Sequence, residues 1–282
     1  MHRKPGQSLQ LGIACDGLSL LCSPEWADGQ PGLLAQVSLP SAEGHSAATV
    51  PTAAALAEAV DALLAPLAPA HRHWPLHVVL DDRLARLWQV TPPATLSLWS
   101  GVADLRSMAA MRLQQLHGEN PADWQITAGW QARHPFMAAA LPHAVLAALR
   151  ALAERHGLWL ASVRPHLLAV WDGSRRQRRS GLWLGLVHDG RLGLALAHGQ
   201  RLHQVRWQGL PAQADTGWLA RVLAREALMQ SLPVPDDLLL SGPAPHWLQQ
   251  DPACRPLVPA FPDASPPSLP ASLWLAAAGA PP

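Results

Sequence analysis

The chain has 282 residues, a formal net charge of +1 at neutral pH and 49% hydrophobic residues. That is enough apolar material for one large core or two lobes. The balanced charge gives no electrostatic reason to expect nucleic acid or an acidic surface as partner. A single lysine, Lys4, stands in a polar N-terminal stretch, which excludes both a P-loop lysine and a Schiff-base lysine.

Thirteen Trp stand beside two Phe and no Tyr, a bias that reads as GC-rich codon usage, with the tryptophans as core filler. Cys15, Cys22 and Cys254 are odd in number and form no C-x-x-C, so they read as reduced thiols. No apolar run approaches the roughly 20 residues that span a bilayer. Met1 to Ser8 is basic and polar without a signal-peptide pattern. The expectation is a cytoplasmic protein.

Residues 9–21 read LQLGIACDGLSLL, an apolar run, an Asp-Gly pair and a second apolar run, the pattern of a β-hairpin. A tight turn at Asp16-Gly17 would pair Cys15 with Leu18 and Cys22 with Leu11, too far apart to bridge. A short strand follows over 33–39, then a small-residue loop over 41–49. Thr52 caps an Ala-rich helix over 53–65 with Leu56, Val60, Leu63 and Leu64 on one face. Strands are predicted over 76–80 and 84–90, with Asp81-Asp82 at the turn between them. A helix over 104–117 directs Leu105, Met108, Ala109, Leu113 and Leu116 inward and ends at Gly118. Strands over 124–130 and 136–141 precede a helix over 143–156, which starts behind Pro142. A strand over 158–163 closes this part.

Arg175, Arg176, Arg178 and Arg179 mark 173–180 as an Arg-rich, solvated linker. Residues 182–194, LWLGLVHDGRLGL, then repeat the first hairpin, with six of thirteen positions identical: Leu9/Leu182, Leu11/Leu184, Gly12/Gly185, Asp16/Asp189, Gly17/Gly190 and Leu21/Leu194. Two copies so far apart indicate a duplicated domain core rather than a short-period solenoid. Strands over 192–197 and 201–207 continue a meander. Thr216 caps a helix over 216–230 that buries Leu219, Val222, Leu223, Glu226, Leu228 and Met229. A strand over 238–241 opens into Gly242-Pro243-Ala244-Pro245, and a proline-rich tail carries a last apolar segment over 273–280.

No G-x-S-x-G, H-E-x-x-H or G-x-G-x-x-G pattern is present. His188, His198 and His203 are close in sequence, but an intervening strand holds the first two roughly 20 Å apart at about 3.3 Å per residue, so they share no zinc ion. His71 and His73 lack further ligands at metal spacing. Asp81-Asp82 and Asp236-Asp237 read as turn or cap residues rather than facing acid–base pairs. No metal site and no catalytic constellation is predicted.

The element order, together with LHVVLDDRLARLWQVTPP (76–93), PADWQI (121–126), FMAAALPHAVLAALRALAERHGLWLASVRPHLLAV (136–170) and LLLSGPAP (238–245), resembles the PilM/GspL group. These are actin-like parts of type IV pilus and type II secretion assembly platforms. The resemblance implies an α/β, duplicated actin-like (ribonuclease H-like) fold of two lobes, with β-hairpin-led sheets flanked by helices. Its first lobe would be 1–172, with an inserted subdomain over roughly 76–140, and its second lobe 181–282.

The resemblance also locates a vestigial nucleotide cleft at Ala14, Asp16, Gly17, Asp189, Gly190, Ser241 and Gly242. Where actin-like ATPases carry a Mg²⁺-organising carboxylate this chain has Ala14, and the matching triplet of the second lobe, Gly185-Leu186-Val187, holds no acid. At the adenosine motif a Gly-Gly pair is replaced by Gly242-Pro243. The implied function is a pseudo-ATPase without cofactor, docking a membrane-anchored PilN-like or GspM-like protein and a pilus or secretion ATPase. It would bind no nucleic acid and meet the inner membrane only through a partner. Two alternatives stand beside it: an ATP–Mg-binding enzyme using Asp16 and Asp189 as shifted carboxylates, and a nucleic-acid binder using Arg175 to Arg179.

Overall fold

The computed structural model describes residues 7–23, 32–39, 50–67, 71–93, 101–177, 179, 181–198, 201–257 and 270–278. The first hairpin is β1 (Ser8–Ile13) and β2 (Gly17–Ser23), extended by β3 (Gly32–Ser38). Helix α1 (Ala53–Leu64) crosses over to β4 (Pro75–Leu80), and α3 (His143–Arg155) crosses to β8 (Trp159–Pro165). The sheet runs β3-β2-β1-β4-β8, with β4 parallel to β1 and to β8.

The second half repeats this order. A meander of β9 (Leu182–His188), β10 (Arg191–His198) and β11 (Arg201–Gly209) is followed by α5 (Thr216–Gln230), β12 (Asp237–Ser241), the short α6 (His246–Gln249) and β13 (Cys254–Pro256). Its sheet runs β11-β10-β9-β12-β13, with β12 parallel to β9 and to β13. Both halves are thus three antiparallel strands followed by two helical crossovers to parallel strands, the arrangement in which apolar faces are buried between sheet and helix. The registers agree as well. Gly12 lies opposite Val79 as Gly185 lies opposite Leu240.

The propensities behind these elements are local. Thr52 Oγ1 accepts the Ala55 N–H at 3.2 Å, and α1 buries Leu56, Val60, Leu63 and Leu64 against the first sheet. Each such side chain contributes about 1.5–3 kcal/mol by leaving water. Helix α5 is capped one residue earlier than expected. The Asp215 carboxylate, not Thr216, accepts the Trp218 N–H at 2.7 Å, and its charge also suits a helix N-terminus. Leu219, Val222, Leu223, Glu226 and Ala227 are buried, but Leu228 is 82% exposed and Met229 62%. At about 100° per residue, Leu228 falls on the face opposite Leu219.

Three further expectations are corrected. The inserted subdomain does not start at 76, because β4 belongs to the first sheet. It comprises β5 (Arg86–Val90), α2 (Val102–His117), β6 (Trp124–Ala128) and β7 (Phe136–Pro142), with sheet order β5-β7-β6. Leu116 of α2 is 48% exposed rather than inward. The first hairpin does not turn tightly at Asp16-Gly17. Ile13 pairs with Leu18 and Cys22 with Leu9, and the Ala14 N–H donates to the Gly17 carbonyl at 2.8 Å, so four residues form the loop. Of the two repeated hairpins, the second has the two-residue form, with Asp189 (φ 48°) and Gly190 (φ 64°) both left-handed.

The two halves also exchange helices. Helix α4 (His166–Gly173) follows β8, yet its Leu167, Val170 and Trp171 lie in the core of the second sheet. Helix α7 (Ala271–Ala278), expected with the second lobe, packs instead on β1 and β2 of the first. A Cβ added at Gly12 would stand 1.9 Å from the Ser272 carbonyl oxygen, so glycine is what lets α7 approach this closely. Ser272 Oγ lies 2.8 Å from Ser19 Oγ beneath it.

Candidate functional site

Both hairpin loops and the ends of β4 and β12 converge where the two sheets meet. Asp81 follows β4, and its N–H donates to the Ile13 carbonyl at 2.8 Å, which fixes it beside the first hairpin. Its carboxylate accepts the Arg83 N–H at 2.9 Å in a local turn and receives the Arg83 guanidinium through Nη2 at 2.9 Å. Across the junction, His188 Nε2 at the end of β9 lies 2.7 Å from Asp81 Oδ2. Arg83 Nη1 donates to Asp189 Oδ2 at 2.6 Å. The two lobes are therefore joined by a chain of alternating charge, Asp189–Arg83–Asp81–His188, of which Asp81 and His188 are buried and Arg83 partly so.

Burial alone would raise the Asp81 pKa, but hydrogen bonds from His188 and Arg83 hold it well below the usual carboxylate range. Burial disfavours the His188 imidazolium, yet its bond to Asp81 raises its pKa overall. Asp82, the next residue, behaves oppositely. Its carboxyl accepts the Leu167 N–H through both oxygens, at 3.2 and 3.1 Å, and so caps α4 from another element. Burial and the neighbouring Asp81 charge push it up to about 8. His166 is buried with its ring 5.7 Å from that of His188, and burial together with the His188 charge lowers it to about 3. Near neutral pH Asp82 thus favours its protonated form and His166 its neutral one, whereas Asp81 stays ionised against Arg83.

A cavity of about 470 Å³ opens beside this cluster between the lobes. Asp81, Asp82, Arg83, His188 and Asp189 form one wall, while Arg86, His117 and Glu119 of the insertion and Arg191 and Trp207 of the second lobe form the other. Most of these charges have partners. Arg86 bonds Glu119 at 2.8 Å, and Arg191 lies 5.1 Å over the Trp207 ring.

Of the seven residues that the sequence points to, only Asp189 lines this cavity. Ala14 is fully buried with Val79, Ala169 of α4 and Leu275 of α7, so the position of the expected carboxylate is filled by an apolar contact. Asp16 is exposed on the first loop, where its carbonyl accepts the Leu39 N–H at 2.9 Å, and Gly17 is buried in the same loop. Gly190 completes the second turn, and Ser241 is buried. Gly242 has φ 95°, and a Cβ there would stand 2.0 Å from the Val187 carbonyl oxygen. Because Leu80 and Ser241 hold the same register against β1 and β9, Gly242 is the counterpart of Asp81. Acids do face the crevice, at Asp81, Asp82 and Asp189. Asp81 and Asp82, expected as turn or cap residues, do act so toward Arg83 and Leu167, but their meeting with Arg83, His166 and His188 between the lobes was missed, although an apolar strand ending in Asp-Asp-Arg was a signal for it. Among the described residues no group of three or more His, Cys, Asp or Glu could hold a metal ion.

No family model matches the chain, and no curated protein matches it by sequence. Solved structures do match by shape. A Bacteroides thetaiotaomicron protein described as having an actin-like ATPase fold and unknown function superposes with TM-score 0.53 at 8% identity, over 84% of this chain and 82% of that one. The chain has the actin-like fold. This actin-like chain is also similar to a PilM-PilN type IV pilus biogenesis complex, with TM-score 0.60 and 15% identity over 97% of each chain. It is similar to the cytoplasmic domain of EpsL, an inner-membrane component of the Vibrio cholerae type II secretion system, with TM-score 0.53 and 14% identity over 90% and 91%. Among the described residues of this actin-like protein, no helix is long and apolar enough to cross a membrane.

Proposed function

We propose that the protein is a non-catalytic scaffold of a type IV pilus or type II secretion-like assembly platform. In this reading it lies at the cytoplasmic face of the inner membrane and docks a membrane-anchored PilN-like or GspM-like partner, with a further face for the assembly ATPase. The observation that supports it most is the likeness to the PilM-PilN complex over 97% of both chains. The crevice chemistry supports the non-catalytic part. A Mg²⁺–triphosphate needs carboxylates free to meet the metal or its waters and backbone amides free to meet phosphate. Here Asp81 and Asp189 are held by Arg83 and His188, Asp82 caps α4, and Ala14 replaces an acid.

The experiment is a thermal melt with and without millimolar Mg-ATP. A ligand at 100 times its Kd would stabilise the fold by about 2.7 kcal/mol. The expected result is an unchanged Tm, while a clear upward shift would favour the nucleotide-binding enzyme. Size-exclusion chromatography with the cytoplasmic segment of a PilN-like protein tests the docking half, with co-elution expected.

A further inference from the structure

The arginines of 173–180, expected as a solvated linker, belong to a larger basic face. An opening of about 630 Å³ is bordered by Gln131 and Pro135 of the loop between β6 and β7, by Asp172 and Arg175 at the end of α4, and by Arg201 at the start of β11. Three segments distant in sequence thus meet around one opening. The loop carries Arg133 between its two bordering residues, and Arg176 and Arg179 follow Arg175. All five arginines are exposed, in a chain whose whole net charge is +1.

Their charge is uncompensated. Asp172 is the one carboxylate at the opening, and it approaches Arg164 at 3.9 Å. Among the described residues none of the five arginines forms an ion pair, whereas Arg83, Arg86 and Arg255 meet carboxylates at 2.6 to 2.8 Å. Like charges gathered without partners repel one another, so the cluster points to an anion outside the chain. The two aromatic rings at the opening, Phe136 and Trp171, are buried rather than presented for stacking on bases. Guanidiniums spread over three segments suit many phosphates on a surface better than one bound ion.

We propose that this basic face lies directly on an anionic phospholipid bilayer, with its guanidiniums on the lipid phosphates, and so orients the protein at the membrane beside its contact with a partner. At roughly fivefold in affinity per arginine, the face gives a reversible hold that a second attachment makes stable. The inference deepens the scaffold reading, on which it rests for the presence of a membrane.

Cosedimentation of the full chain with vesicles tests it, comparing equal parts of phosphatidylglycerol and phosphatidylcholine with phosphatidylcholine alone. Binding is expected to the anionic vesicles at about 0.1 M salt, and a loss of at least about tenfold at 0.5 M, where screening is short-ranged. Combining Arg175→Gln, Arg176→Gln and Arg179→Gln should weaken binding about a hundredfold, three losses of roughly fivefold each. Combining Arg72→Gln, Arg150→Gln and Arg221→Gln removes the same charge from exposed positions on other elements and should change binding by less than about threefold. An unchanged Tm verifies folding of both variants. Equal binding to the uncharged vesicles, no binding to the anionic ones at about 0.1 M salt, equal losses in the two variants, or tighter binding to duplex DNA than to anionic vesicles would overturn the proposal. Failure of a PilN-like segment to co-elute would remove the scaffold reading and leave the vesicle measurements unaltered, so the two failures are distinguishable.

Discussion

His188 Nε2 lies 2.7 Å from Asp81 Oδ2, and this contact ties the end of β9 in one sheet to the end of β4 in the other. His188 is 4% exposed and Asp81 1%. Removing one partner leaves the other buried and unpaired, a change that typically costs about 3–5 kcal/mol. Asp81→Ala should therefore lower the urea midpoint by that equivalent, because His188 loses its acceptor and Arg83 keeps only Asp189. A loss below about 1 kcal/mol would show that the cluster is solvated and does not hold the lobes together.

The same cluster sets a dependence on pH. Asp82 is raised to about 8, so its contribution is complete below the unfolded value near 3.8 and is lost as pH rises through 8. His166 is lowered to about 3, so its contribution is complete above 6.5 and is lost as pH falls toward 3. Between about 3.8 and 6.5 the two slopes oppose and cancel. Above 6.5 only Asp82 and His188, itself raised, remain, and both lose stability as pH rises. Each contributes at most about 1.4 kcal/mol per pH unit. Burial also lowers His77 and His117, so urea melts should show stability rising toward pH 6.5 and then declining to pH 8, a decline that Asp82→Asn makes shallower. A wild-type profile that rises from pH 6.5 to 8 would contradict this protonation pattern.

Gly12→Ala should detach α7. The added Cβ meets backbone atoms of Ser272 and Ala276, at 1.9 and 2.5 Å, which a side-chain rotation cannot relieve. A cost of at least about 1–3 kcal/mol is expected from overpacking, with hydrogen exchange accelerated in residues 271–278 ahead of the remainder of the chain. Uniform protection of α7 in the variant would show that the helix docks elsewhere.

Gly242→Ala combines a left-handed φ of 95° with a Cβ 2.0 Å from the Val187 carbonyl oxygen. It should cost more than the roughly 1 kcal/mol of an ordinary glycine replacement in an unfavourable conformation. Gly129→Ala, where nothing lies within 4 Å of the added Cβ, is the matched control. Equal melting temperatures for the two variants would refute the close approach of β12 to β9.

On α5, Leu223→Ala should destabilise by about 2–5 kcal/mol, as for a buried leucine. Leu228→Ala should stay within about 0.5 kcal/mol, since its side chain is 82% exposed. Similar costs at both positions would mean that the exposed face of α5 is covered in solution.

How far the fold was legible follows from where its determinants lie. Thr52, Gly118 and Asp189-Gly190 mark element ends through their own backbone chemistry, and the repeat of 9–21 in 182–194 announces two lobes. The loop at Asp16-Gly17 misleads because the same dipeptide forms a left-handed turn at 189–190 and not at 16–17. That choice depends on what the flanking strands pair with. Leu228 misleads because its apolarity is real but its angle around the helix points away from the sheet.

The amino-acid order alone determined the α/β class, the duplicated hairpin and most helix and strand positions, because these rest on contacts between residues a few positions apart. Only the tertiary structure decided that α4 and α7 cross to the opposite sheets, that β4 leaves the insertion for the first sheet, and that Asp81 meets His188 107 positions away. Those outcomes depend on which apolar faces and buried charges find each other in space, and burial converts an ordinary Asp-Asp-Arg turn into the bond between two lobes.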